Sequence, residues 1–158
     1  MNTSMKRRIF LKGSMAASAV GVAVGAGLLT PQAVLAAWPA EVFQSKDAAT
    51  GLKALLGSDA SEQSADIEVK APDIAENGAV VPITVETKLK NLESITVVAM
   101  KNPAPVIASY AMGKGADGFV SMRIKMGATG DVVAVVKSGG KLFSNKKEVK
   151  VTVGGCGG

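Results

Sequence analysis

The sequence contains no histidine, and this absence removes several kinds of chemistry from consideration. Histidine is the usual general base, the commonest metal ligand and the partner that activates Ser or Cys nucleophiles. The glycine-rich stretches form no phosphate-binding loop either, because they lack the strand-loop-helix context and the Lys-Ser/Thr ending. We therefore predict no catalytic residue, no metal site and no bound cofactor in this chain.

The other candidates for chemistry have simpler interpretations. Asp66, Glu68 and Glu86 lie on the polar faces of predicted strands, which indicates solvated surface rather than acid-base catalysis. Met122 and Met126 alternate with polar residues at period two, which favours core packing over copper binding. These residues predict a domain without catalytic machinery of its own.

The formal charge of +5 comes mainly from the first part of the chain. A basic start is followed by an apolar stretch rich in Ala and Gly at about 15–29, and the small-residue sequence VLA ends at residue 36. This order is typical of an export signal. Arg7-Arg8, followed by Ile-Phe-Leu-Lys, resembles the bacterial twin-arginine signal RRxFLK. We predict that residues 1–36 are a cleaved twin-arginine signal and that the mature protein is periplasmic.

The mature chain predicted in this way is nearly neutral. The signal contains four basic residues and no acidic ones, so 14 Lys and Arg remain against 13 Asp and Glu. A nearly neutral domain has no electrostatic basis for binding nucleic acid. The apolar stretch of the signal is too short and too rich in glycine for a dependable membrane span, so we expect none after cleavage.

Cys156 is the single cysteine of the chain. In an oxidising compartment a lone cysteine cannot form an internal disulfide, so it is either a free thiol or half of an intermolecular disulfide. Because glycine leaves the backbone free, residues 154–158 are predicted to form a flexible arm around it. The glycines of this arm are Gly154, Gly155, Gly157 and Gly158.

Two functions of such a thiol stay open from the residues alone. No cation, helix terminus or metal motif adjoins Cys156, so one interpretation is a carrier arm whose thiol another protein activates. The alternative is a structural, adhesion-type β-sandwich that uses Cys156 for an interchain disulfide. A thiol-disulfide oxidoreductase would need a resolving cysteine or an activating neighbour, and the sequence has neither.

Residues 37–57 carry the pattern of an N-terminal helical segment. Apolar side chains recur through it at helical spacing, Pro39 stands near the first turn and Gly57 is placed as a C-terminal stop. We predict one short amphipathic helix over residues 40–56.

Beyond this helix the apolar period changes to two, which is typical of β-strands. Seven such runs are separated by turn signals such as Asn77-Gly78 and Ser138-Gly139-Gly140. The runs lie at residues 66–70, 79–86, 94–100, 105–112, 119–126, 131–137 and 147–153. Short strands at this spacing predict an all-β fold, an immunoglobulin-like antiparallel β-sandwich of about seven strands over residues 58–153.

Three features in or beside these runs lead to more specific predictions. The run 131–137 is almost continuously apolar, which predicts a strand buried on both faces. Pro82 lacks a backbone N–H, so it suits an edge strand or a bulge better than a central strand. Lys146-Lys147 is interpreted as a charged turn.

Two stretches of the chain resemble a known family. The sequence RIKMGATGDVVAVVKSGGKLFSNKKEVKVTVGGCGG is similar to the C-terminal part of SoxY, the sulfur-carrier family of bacterial periplasmic thiosulfate oxidation. The upstream stretch KNPAPVIASYAM, the twin-arginine signal and the short first helix also resemble that family. GGCGG is the most specific of these motifs, and it is intact.

The resemblance implies a non-enzymatic carrier with an immunoglobulin-like fold, whose Cys156 is the covalent attachment point for sulfur. It further implies a heterodimer with SoxZ, a second small β protein. SoxAX would join thiosulfate to Cys156, and SoxB would release sulfate and leave a persulfide. Either SoxCD or a sulfur-storage route would then remove the remaining sulfur. The haems and metals of this scheme would belong to those partner enzymes. Independently of the resemblance, exposed thiols in oxidising compartments form disulfides, so a disulfide dimer through Cys156 is one expected resting form even of a carrier.

Overall fold

The structure is a computed structural model, and it describes residues 39–152. The predicted signal, residues 1–36, and the predicted arm, residues 154–158, lie outside the described residues. The described chain contains the helices α1 (Ala40–Gln44) and α2 (Ala48–Leu56). Its strands are β1 (Glu62–Gln63), β2 (Ile67–Lys70), β3 (Ile74–Ala75), β4 (Val81–Thr87), β5 (Leu92–Ala99), β6 (Val106–Ala111), β7 (Phe119–Ile124), β8 (Gly130–Ser138) and β9 (Lys141–Val151).

The strands form two sheets. The larger has the order β1-β9-β8-β5-β6, with β3 added to β9, and the smaller has the order β2-β4-β7. Pairing is antiparallel except for the two-residue strands β1 and β3, which both run parallel to β9. The predicted immunoglobulin-like sandwich is confirmed. All seven predicted strands are present, and β1 and β3 are additional.

The core lies between the two sheets and consists mainly of β-branched side chains, which fit a pleated, half-buried surface. Its fully buried members include Ile67, Val81, Ile83, Val85, Ile95, Val97, Val132, Val136 and Val149. Met126 is buried in the same core and Met122 packs against it, which confirms their predicted structural role. In β8, Val132 and Val136 belong to this core while Val135 is buried outside it, so burial of that strand on both faces is also confirmed.

The predicted single helix over 40–56 is wrong, because the helical conformation is interrupted between α1 and α2. Ser45 has extended backbone angles (φ −59°, ψ 132°). Asp47 then caps α2 by accepting hydrogen bonds from the backbone nitrogen and the hydroxyl of Thr50, at 2.8 and 2.7 Å. This cap starts a new helix inside a continuous apolar pattern. Gly57, with φ of 83°, ends α2 as predicted.

The prediction of a charged turn at Lys146-Lys147 is also wrong. Gly139 and Gly140 both have positive φ, 55° and 76°, and complete a two-residue hairpin turn of the kind favoured between antiparallel strands. Pairing therefore resumes at Lys141, and both lysines lie in the middle of β9.

Pro82 lies in β4, the central strand of the smaller sheet, so the predicted edge strand or bulge is not found there. However, β2 pairs only with residues 84–87 of β4, whereas β7 pairs with residues 81–86. At Pro82 the strand therefore has a neighbour on one side only. The missing N–H is tolerated there because one side of the ladder is open.

Candidate functional site

The predicted site residues fall outside residues 39–152. These residues are Cys156, the glycines Gly154, Gly155, Gly157 and Gly158, and the signal arginines Arg7 and Arg8. The structure does describe the chain up to Thr152, four residues before the cysteine. We call Val151 and Thr152 the root of the tail, and the candidate site is built from the residues that hold this root.

On one side, the parallel strand β3 holds the root. Ile74 and Ala75 pair with Lys150 and Val151. The backbone nitrogen of Lys150 donates to the carbonyl oxygen of Asp73 at 3.0 Å, and the nitrogen of Thr152 donates to that of Ala75 at 3.2 Å. Two residues of β3 thus fix the direction in which β9 ends.

On the other side, the side chain of Thr129 holds the root beyond the point where pairing with β8 ends. The ladder between β8 and β9 ends with the pair Gly130 and Val149. Beyond it, the backbone nitrogen of Val151 donates to the hydroxyl oxygen of Thr129 at 2.9 Å, and that hydroxyl donates to the carbonyl oxygen of Val151 at 3.4 Å. Thr129 therefore partners both backbone groups of one residue.

Close packing behind the root comes from Gly78. A Cβ atom at this position would lie 2.5 Å from the carbonyl oxygen of Met126 and 2.8 Å from Cγ1 of Val151. Only glycine fits this approach without displacing its neighbours. The nitrogen of Met126 also donates to the carbonyl oxygen of Gly78 at 2.7 Å, which ties this loop to the root.

Two lysines in the middle of β9 are each paired with a carboxylate. Lys147 Nζ lies 2.6 Å from Asp73 Oδ1, and the hydrogen bond that this lysine donates lowers the pKa of the Asp73 carboxyl. Lys146 Nζ lies 2.7 Å from Asp131 Oδ2, and this hydrogen bond raises the pKa of Lys146. Successive residues of a strand point to opposite faces. The two lysines therefore form no joint anion site.

The remaining described residues supply little chemistry. Lys70 Nζ lies 2.7 Å from Glu86 Oε2 and 3.8 Å from Glu68 Oε2 on an exposed face, so these carboxylates belong to the surface as predicted. No group of three or more potential ligand side chains that could hold a metal ion occurs within residues 39–152. In the same part of the chain, neither helix is long and apolar enough to cross a membrane.

The residues that hold the root were not found from the sequence. Asn77-Gly78 is recognisable as a turn, but its contact with Val151 depends on the tertiary fold. Thr129 carries no signal beyond its place in a glycine-rich loop. The strand β3 is too short to show a period-two pattern.

The fold defines a class of protein: a small immunoglobulin-like β-sandwich domain, whose sequence carries its single cysteine four residues beyond the described chain. The family model described as "Sulfur oxidation protein SoxY" matches residues 52–156. The chain belongs to the SoxY family. Its role is thus that of a sulfur carrier in a Sox system, within a family of carriers rather than enzymes.

One solved SoxY structure agrees with this assignment, and two further solved structures are only distantly similar. The sulfur carrier protein SoxY from Chlorobium limicola f thiosulfatophilum is 39% identical, with a TM-score of 0.61 over 66% of this chain and 94% of that chain. An engineered protein is 13% identical with a TM-score of 0.41, covering 55% of this chain and 20% of its own. The PmoD soluble domain from Methylocystis is 11% identical with a TM-score of 0.39, over 56% and 94% of the two chains. No curated protein sequence matches the chain.

Proposed function

We propose that this protein is a periplasmic carrier that holds thiosulfate-derived sulfur covalently on Cys156 and presents it to partner enzymes. One observation carries the proposal: the family match ends on residue 156, the single cysteine of the chain. The glycines on both sides support it, because they leave room for an enzyme pocket to close around the sulfur.

The chemistry requires the thiol and the partners only. A SoxAX-type haem enzyme joins thiosulfate to Cys156, forming a sulfur–sulfur bond, releasing one proton and passing two electrons to haem. A SoxB-type hydrolase then adds water across the bond to the sulfonate, which gives sulfate, a proton and the cysteine persulfide. A SoxCD-type enzyme would then oxidise the outer sulfur to a sulfonate, taking oxygen from three water molecules, releasing seven protons and accepting six electrons. A second hydrolysis would release this sulfonate as sulfate and restore the Cys156 thiol. The carrier itself binds no cofactor in this scheme, and its fold supplies a stable support for the tail.

A SoxZ-like β protein is the proposed stable partner. Within residues 39–152 the larger sheet ends at β6 and the smaller at β7, and each of these edge strands exposes an aromatic side chain. Tyr110 in β6 is 37% exposed and Phe119 in β7 is 54% exposed. Unpaired edges with apolar side chains favour pairing or packing against a second β protein. Export by the twin-arginine signal, with Arg7 and Arg8, would place the pair in the periplasm.

Intact-mass spectrometry of the mature protein, isolated from cells supplied with thiosulfate, tests the proposal. We expect thiosulfonate or persulfide adducts that map to Cys156 and are released by a thiol reductant. Cys156→Ser should remove these adducts and abolish thiosulfate oxidation while the unfolding curve stays unchanged. If only unmodified chains and simple disulfide dimers were found, the carrier proposal would be wrong and the interchain-disulfide alternative would be favoured.

A further inference from the structure

The backbone N–H groups of residues 150–152, at the end of β9 and just beyond it, are all paired, and one of their partners is a side chain. Lys150 and Thr152 donate to carbonyl oxygens on the β3 side, at 3.0 and 3.2 Å. Between them, Val151 donates in the opposite direction to the hydroxyl of Thr129 at 2.9 Å. The root is therefore held from both sides, by backbone on one side and by a hydroxyl on the other.

The hydroxyl of Thr129 makes the hydrogen bonds to Val151 that a backbone group of β8 would make if the β8–β9 ladder continued. The ladder between β8 and β9 ends at Gly130, so no backbone of β8 reaches Val151. A hydroxyl can both donate and accept, as a peptide group does, and Thr129 uses both capacities on Val151. Since Thr129 is itself exposed, water can reach the backbone N–H and carbonyl oxygen of Val151 once the hydroxyl is removed.

We propose that Thr129 is a positioning residue, which fixes the point at which the tail carrying Cys156 leaves the sandwich. This inference rests on the proposed carrier function, because a carrier must deliver its thiol to several enzymes from a defined origin. Thr129 touches neither the sulfur nor a substrate, and it acts only through the backbone of Val151.

The expected effect follows from the length of the free segment. With the root in place, three residues (153–155) separate Thr152 from Cys156, and with the chain frayed back to Val149 there are six (150–155). Each added residue extends the reach by up to about 3.6 Å. The effective concentration of a tethered group falls roughly as the −3/2 power of tether length, so the longer tail lowers delivery about two- to threefold.

Three variants of the mature full-length chain test the proposal. Thr129→Val keeps the shape of the side chain but removes the hydroxyl, whereas Thr129→Ser keeps the hydroxyl. Thr84→Val is the matched control, because it removes a threonine hydroxyl that bonds Ser121 at 3.1 Å on the smaller sheet, away from the root. The measurements are amide hydrogen exchange at Val151 and Thr152, and sulfate release from thiosulfate by a reconstituted Sox enzyme set.

In Thr129→Val we expect exchange at Val151 to rise about tenfold, as for the loss of one hydrogen bond. We also expect kcat/KM for sulfate release to fall in proportion to the frayed fraction, by no more than about threefold. The rate at which a small disulfide reagent modifies Cys156 should not change, because the thiol itself is untouched. Thr129→Ser and Thr84→Val should behave like the wild type in all three measurements.

The proposal is overturned if Thr129→Val leaves exchange at the root unchanged, or if exchange rises while sulfate release does not fall. Equal effects of Thr129→Ser or Thr84→Val would also overturn it, because the effect would then not come from this hydroxyl. A wild-type chain that releases no sulfate from thiosulfate would contradict the proposed function instead. The exchange comparison would still decide whether Thr129 holds the root.

Discussion

Asn145 and Ile67 join the two sheets of the sandwich through one hydrogen bond, in which Asn145 Nδ2 donates to the carbonyl oxygen of Ile67 at 2.6 Å. Asn145 lies in β9 and Ile67 in β2, and Ile67 is fully buried. If this carbonyl oxygen lost its donor, its desolvation would no longer be compensated by a hydrogen bond, and the free energy of unfolding would fall. This bond therefore links the strand that carries the tail to the opposite sheet.

We expect Asn145→Ala to lower the free energy of unfolding by about 1–3 kcal/mol. The matched control is Ser138→Ala, which removes a donor at the same 2.6 Å distance, to the carbonyl oxygen of Lys90, but at the exposed surface. Its loss should be smaller, because water can replace the donor. Urea unfolding monitored by circular dichroism provides the comparison, and equal losses in both variants would contradict the role assigned to Asn145.

The cap of α2 predicts a dependence of stability on pH. The backbone hydrogen bond from Thr50, followed by its side-chain hydrogen bond, lowers the pKa of the Asp47 carboxyl below its ordinary value of 3.8. The stabilisation from this group is therefore complete above the unfolded pKa and is lost as the pH falls through the lower folded pKa. Asp47→Ala should lower the Tm by a few degrees at pH 7 and change it less at pH 2.5.

Asp47→Asn is the control for this prediction, because asparagine also caps a helix but does not titrate. Its Tm should stay near that of the wild type at pH 7, and its cap should persist in acid. A Tm difference between Asp47→Ala and the wild type that is the same at pH 7 and pH 2.5 would show that the carboxylate is not the stabilising form.

Gly78→Ala should destabilise the domain, because the added methyl group would meet the carbonyl oxygen of Met126 and the side chain of Val151. Overpacking of this kind typically costs about 1–3 kcal/mol. Gly113→Ala is the matched control, since no atom lies within 4 Å of its Cβ position. Equilibrium unfolding gives the free energy of unfolding of both variants. Equal values would contradict the close packing of Gly78 against the root.

Gly155→Pro should impair sulfur transfer without altering the fold. Proline fixes φ near −65° and removes a backbone N–H directly before Cys156, so a pocket that needs another backbone conformation would exclude it. We expect the loss in kcat/KM to differ among the partner enzymes, because each pocket imposes its own backbone conformation. Gly155→Ala is the milder control, and an equal response of every enzyme to both variants would argue against a requirement for backbone freedom.

The sequence predicted the sandwich well because its signals are local. Alternating Val and Ile residues indicate the long strands. The Gly139-Gly140 pair indicates the hairpin, because its two-residue turn requires a positive φ at both positions. The break before α2 was missed because Asp47 caps a helix within an apolar pattern that is itself continuous. Periodicity reports which faces are apolar but not where one helix stops and the next begins.

The root of the tail could not be predicted for a different reason. Ala75 and Thr129 reach β9 from distant parts of the chain, and neither belongs to a long periodic strand. Their positions follow from how the two sheets pack, which a single sequence does not encode locally. The sequence predicts Cys156 as the functional residue because it is the single cysteine and is flanked by glycines, and this prediction lies outside the described residues. The residues proposed to position its tail carry no comparable signal.

Thr152 donates from its backbone to Ala75, and the side-chain contact between these residues spans 77 positions of the sequence. Closing so large a loop is entropically costly and is possible only when the strands in between have found their places. The root of the tail therefore forms only when β3, near the start of the sandwich sequence, meets the end of β9. Under the proposed function, an incompletely folded chain would carry the same thiol without a fixed origin, so maturation of the carrier would itself decide when the cysteine can be delivered.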